Sequence, residues 1–142
     1  MTLIDANVLI YAHNTDAPQY EAVKEWLAEL SHTREPIGVC WPTLWAFLRI
    51  ATNPRIWPTP MPAKEAWDLV RLWLTQPGMV LVQPGPRHAA ILEKLMLKER
   101  VTGPMVSDAV LAALAIEYGA VLASTDRDFR RFPDLRWVNP AP

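Results

Sequence analysis

The chain has 142 residues, 51% of them hydrophobic, and a formal net charge of -1. That length suits one core and gives little room for two, so a single domain over residues 1–142 is expected. A near-neutral charge excludes a protein that grips nucleic acid by general basicity.

A lone cysteine, Cys40, leaves no partner for an internal disulfide, and the N-terminus lacks the basic flank and cleavage site of a secretory signal. Charges or prolines interrupt every apolar stretch before the ~20 residues needed to span a bilayer. A cytoplasmic protein without a membrane anchor is the expectation.

Thr2 to Asp5 reads as a short buried strand ending at a polar Asp-Ala-Asn. From Pro18 the apolar spacing is helical, with Ala22, Trp26, Leu27 and Leu30 on one face, to about His32. Ile37 to Trp41 is a candidate strand. Pro42 then opens a helix to about Ala51, and the proline-bearing segment Thr52 to Met61 is a loop. Ala63 to Leu74 is helical, Met79 to Val82 a strand, and Pro86 to Arg100 helical, with Ala90, Ile91 or Leu92, Leu95 and Met96 inward. Met105 to Tyr118 is apolar almost all round and must be a packed central helix, with Gly119 as its stop. Val121 to Ala123 is a strand, a helical turn starts at Asp128, and a last strand surrounds Trp137. Strands alternating with helices predict an α/β domain with a mainly parallel sheet covered on both faces.

Asp108 is the most telling residue, because a carboxylate one turn into the most apolar helix is expensive unless something requires it. Its bland alternative is a first-turn acid favoured by the helix dipole, or a cap shared with Ser107. Asp5 with Asn7 can equally be an Asx turn, and Thr125-Asp126-Arg127-Asp128 an ordinary helix cap. The conjunction says more. Asp5 and Asp126 both follow strands, Asp108 falls at the same sheet end, and unpaired carboxylates there would repel one another. A hard divalent cation such as Mg²⁺ or Mn²⁺ relieves that repulsion. Nothing else in the chain offers a site: His13, His32 and His88 lack zinc-like spacing, Cys40 has no base nearby in sequence, and no glycine-rich phosphate loop exists. Trp41, Trp45, Trp57, Trp67 and Trp73 bunch in the middle third, to be shared between core and a partner surface.

The segments IDANVLIYA at 4–12, FLRIATNP at 47–54, VSDAVLAALAIEYGAVLASTDRDF at 106–129 and RFPDLRWVNP at 131–140 together resemble the PIN-domain ribonucleases, specifically the toxins of VapBC toxin–antitoxin pairs. The resemblance spans the whole chain. It implies a three-layer α/β/α sandwich with a parallel sheet, a homodimer, Mg²⁺ or Mn²⁺ as cofactor, and a small antitoxin that occludes the site. By motif, Asp5, Asp108 and Asp126 take the metal-associated positions and Asp128 an accessory one, with Asn7 and Thr125 holding carboxylates or a water. Arg127, Arg130 and Arg131 are the candidates for substrate phosphates.

One position departs from the family pattern. Where a glutamate usually precedes the residue matching Phe47, this chain has Ala46, and no acid lies between Glu35 and Glu65. Ala46 is expected to face the aspartates. The sequence therefore predicts a metal-dependent endoribonuclease acting on single-stranded or looped RNA as a toxin; the alternative is a catalytically weak or inactive RNA-binding partner of an antitoxin. A phosphatase with Asp5 as nucleophile would want a second aspartate at Asn7.

Overall fold

The computed structural model describes residues 1–142. Five short strands, β1 (Thr2–Ile4), β2 (Ile37–Val39), β3 (Met79–Leu81), β4 (Val121–Ala123) and β5 (Arg136–Val138), form one sheet in the order β3-β2-β1-β4-β5. Every pairing is parallel. Six helices accompany it: α1 (Ala6–Ala12), α2 (Tyr20–His32), α3 (Trp41–Ala51), α4 (Ala63–Thr75), α5 (His88–Lys98) and α6 (Met105–Glu117). A 3-10 turn spans Arg127–Arg131. No helix is long and apolar enough to cross a membrane.

Strand alternation sorts the apolar residues into two layers. Leu3 and Leu122 point into a cluster with α5 and α6, through Leu95, Leu111, Leu114 and the alanines of α6. Their neighbours Ile4 and Ala123 point the other way, onto Val8, Val23, Leu44, Phe47, Val70 and Trp73 of α1 to α4. The result is the expected α/β/α sandwich, with a parallel sheet buried on both faces.

Three details differ from the sequence reading. Helix α1 lies where only a strand end was expected: Asp5 starts the helix by accepting from the Ala6 amide (2.7 Å). In α2 the inward residue is Val23 and Ala22 is exposed; in α5 Ala90 is exposed while Leu95 is buried. The rest of each stripe packs inward as expected, Trp26, Leu27 and Leu30 in α2 and Ile91, Leu92 and Met96 in α5, and only the edge alanine faces solvent, where its small side chain forfeits little burial. The strand expected over Ile37–Trp41 ends at Val39, because Cys40 is already the N-cap of α3 with Pro42 in its first turn.

The winding direction reverses at β1, whose neighbours are β2 on one side and β4 on the other. The crevice beyond the carboxyl ends of β1 and β4 is where such sheets bind ligands. The backbone is tied there by Asp5 N–H donating to the Ala123 carbonyl (3.0 Å) and Ser124 N–H to that of Val138 (3.0 Å).

Candidate active site

Asp5 leaves β1 and Ser124 leaves β4, so two chain segments 119 residues apart meet at the switch point. The Ser124 hydroxyl donates to Asp5 Oδ2 (2.7 Å), and the Asn7 amide donates to the same oxygen (3.2 Å) and to Ser124 Oγ (3.0 Å). Thr125 N–H donates to Asn7 Oδ1 (3.1 Å), and Asp126 N–H to Ser124 Oγ (3.0 Å). Three donors thus meet Asp5, from Ala6, Ser124 and Asn7, against about four lone-pair positions on a carboxylate. One position stays open.

Ser124, fully buried, is the hub of this network, whereas the sequence points to its neighbour Thr125. Thr125 contributes its backbone amide; the side-chain hydrogen bond to the carboxylate comes from Ser124. Both residues follow a strand and are small and hydroxylic, so only the strand's alternation distinguishes the inward one. Asp126 caps the 3-10 turn by accepting from Asp128 N–H (2.9 Å), which leaves its second oxygen uncommitted.

Asp108 enters from the first turns of α6. It makes no hydrogen bond, and the N-cap of α6 is Pro104 without a side-chain cap, so the capping account of Asp108 and Ser107 fails. Burial, then the charges of Asp126, Asp5 and Asp128, push its carboxyl up to about 6, with Arg131 opposing. Asp5 is also raised, chiefly by burial, against its bonds to Ser124 and Ala6 and with added repulsion from Asp126. All four predicted acids therefore share one electrostatic field.

Asp5 and Asp108 line a cleft of ≈ 430 Å³ between α3 and the start of α6. Ala46 is in the same wall, as expected, together with Trp45 and Arg49. Of the predicted phosphate-binding arginines, Arg131 is the one whose charge reaches Asp108. Arg130 lies over the Trp137 ring at 5.5 Å, and Arg127 is exposed. His13 stands elsewhere, its ring 4.9 Å from that of Trp73 and its titration lowered by burial.

A hard cation fits the character of this donor set, with oxygen ligands whose mutual repulsion it would remove. No three Asp, Glu, His or Cys side chains stand close enough together to hold a metal ion between them. Mg²⁺ does not require three, since it keeps several waters and uses one or two carboxylates.

Sheet and cluster define a class: an α/β domain with an acidic, oxygen-rich centre at the carboxyl ends of its strands. The PIN domain profile matches residues 2–135, and the chain belongs to the PIN-domain family. It is 42% identical over 142 residues to ribonuclease VapC31 of Mycobacterium tuberculosis, covering 99% of each chain. Against ribonuclease VapC33 of the same organism it is 40% identical over 140 residues, covering 99% of this chain and 98% of the relative. Among solved structures, VapBC-1 from nontypeable Haemophilus influenzae superposes with a TM-score of 0.71 at 18% identity, over 99% of this chain and 98% of that one. Mycobacterium tuberculosis VapC20, described as a sarcin-ricin loop cleaving toxin, gives 0.65 at 12% identity, over 92% and 93%.

Proposed function

We propose that this chain is a VapC-type ribonuclease, a metal-dependent endonuclease for single-stranded or looped RNA and the toxin of a toxin–antitoxin pair. The observation that carries the reading is Asp108: a carboxylate without a hydrogen bond that lines a cleft with Asp5 and is raised to about 6 by burial and by the charges of Asp126, Asp5 and Asp128. A purely structural acid would be satisfied. Full-length identity of 40–42% to relatives named ribonucleases supplies the chemistry.

In this reading Asp5 and Asp108 hold a Mg²⁺ or Mn²⁺ ion, with Asp126 and Asp128 completing the acidic field. When bound, the ion polarises the scissile phosphate and makes a coordinated water more acidic. Ser124 and Asn7 fix the Asp5 carboxylate, which keeps its open lone pair aimed while its other positions are filled. Arg131 balances charge beside Asp108, and the exposed Arg127 contacts a neighbouring phosphate. A small antitoxin partner is supported by the VapBC complexes among the structural neighbours. A homodimer fits the exposed apolar side chains Trp67, Leu72 and Leu97.

Ala46 in the cleft wall favours a second reading, a catalytically weak partner that binds RNA without efficient cleavage. One assay separates them: incubation of mixed RNA with the protein, Mn²⁺ or Mg²⁺, and then chelator. Chelator-sensitive cleavage lost in Asp5→Asn and Asp108→Asn is expected. RNA retained intact at every metal concentration, with binding preserved, would establish the second reading.

A further inference from the structure

The cleft that holds Asp5 and Asp108 has a second wall that the acids do not explain. Helix α3 carries a single charged residue, Arg49, and presents it to the cleft together with Trp45 and Ala46. Trp41, Trp45 and Arg49 are spaced four residues apart and so form one stripe along the helix. Trp41 is anchored at the edge of the α1–α4 core. Its ring stacks on that of Trp45 at 6.2 Å between centroids and 28° between planes.

Trp45 itself is 61% exposed, which sets it apart from the tryptophans that pack or hydrogen-bond inward, such as Trp73 and Trp57. Leaving so much indole in water forfeits burial that the core could have used. Arg49 is the only basic residue in the cleft wall, forms no salt bridge and donates no hydrogen bond. Neither Asp5 nor Asp108 feels its charge appreciably; the cation that acts on Asp108 is Arg131. Arg49 is therefore close enough to share the cleft and not spent on its acids.

We infer that this stripe is the strand-positioning wall of the site: one unpaired base of the substrate stacks on Trp45, and an adjacent phosphate is held by Arg49. The inference rests on the ribonuclease reading above and adds how the single strand is gripped. Its occupant follows from the pairing of features. An aromatic face takes any base, a guanidinium takes a phosphate, and the acids across the cleft require a cation between themselves and the polyanion. A duplex offers no unpaired base to Trp45, so the wall favours single strands and loops.

The test is steady-state cleavage of a short single-stranded RNA by the full chain and by Trp45→Ala, Trp45→Phe, Arg49→Gln and Arg49→Lys, with the oligomeric mass of each measured alongside. Trp45→Ala is expected to raise KM about tenfold, by more than it lowers kcat, and Trp45→Phe to restore most of the loss. Arg49→Gln is expected to raise KM and to lower by about one the slope of log KM against log salt, with Arg49→Lys keeping the slope. Wild-type KM in Trp45→Ala and Arg49→Gln, with a wild-type enzyme that cuts RNA, overturns this inference alone. So does a Trp45→Ala protein that changes oligomeric mass at unchanged KM, which would assign the indole to a second copy of the chain. A wild-type chain that cuts no RNA overturns the ribonuclease reading beneath it.

Discussion

The two ends of α6 treat a carboxylate in opposite ways. Asp108, near the N-terminus where the helix dipole favours an acid, is pushed up to about 6. Glu117, at the C-terminus where the dipole disfavours one, is held below its usual value. The dipole is worth about 0.3–1 kcal/mol and is overruled at both ends. At Glu117 the cause is hydrogen bonding: its two oxygens accept from Gly85 N–H and Arg87 N–H, each at 2.8 Å, and lock the loop before α5. At Asp108 the cause is burial without any donor, compounded by three like charges. One acid is satisfied and holds the fold together; the other is left unsatisfied at a cost, as expected of a functional group.

The contrast breaks most visibly in activity. Asp108→Asn and Asp5→Asn are expected to lose more than about 100-fold in RNA cleavage with the fold intact, since each removes a charged oxygen from the proposed cation site. Glu117→Gln should cut RNA at close to the wild-type rate while melting several degrees lower. Equal losses in Asp108→Asn and Glu117→Gln would erase the functional distinction between the two ends.

Ser124→Ala comes next. It deprives Asp5, Asn7 and the Asp126 amide of one shared partner in a buried place. A loss of about 10–100-fold in activity is expected, with about 1–3 kcal/mol of stability lost in urea unfolding. Wild-type activity in this variant would show that Asp5 needs no support.

In the pH dependence of stability the two acids act with opposite sign. Asp108 has a raised folded pKa, so in metal-free protein its contribution is most favourable below 3.8 and is lost as pH rises to about 6. Glu117 has a depressed one, so its contribution is present above 4.5 and is lost as pH falls through the folded value. Asp108→Asn should stabilise metal-free protein at pH 7 by about 1 kcal/mol; the full shift corresponds to ~3, but solvent screens a half-buried carboxylate. Glu117→Gln should flatten the acid limb instead. Melting curves from pH 3 to 8, with chelator, read both signs, and added Mn²⁺ should raise Tm most above pH ~6.

The smallest effect is expected at Ala46, which shares the cleft wall with Asp5 and Asp108. Ala46→Glu should tighten Mn²⁺ binding severalfold and slightly lower the stability of the metal-free protein, since another like charge joins the field. Calorimetric titration of both proteins gives the answer; equal or weaker binding in the variant would mean that a glutamate at 46 does not reach the proposed ion.

How much of this was legible in the sequence depends on the range of the interaction. Strand and helix order, the packed character of α6, the stop at Gly119 with φ +61° and the apolar faces of most helices follow from periodicity and turn chemistry, which are local. Candidate acids could be picked from neighbours alone, because an aspartate inside an apolar helix or just past a strand is conspicuous. Local pattern could not reveal α1, whose seven residues beyond Asp5 are too few to show a helical apolar face, nor choose between Ser124 and Thr125. Nor could it tell Asp108 from Glu117, two acids on one helix. Those distinctions were decided by tertiary structure: which amide groups a distant loop brings to Glu117, which hydroxyl β4 turns toward Asp5, and which wall α3 offers opposite the aspartates. Solvation and hydrogen-bond supply are properties of the assembled crevice, and they set what each carboxylate does.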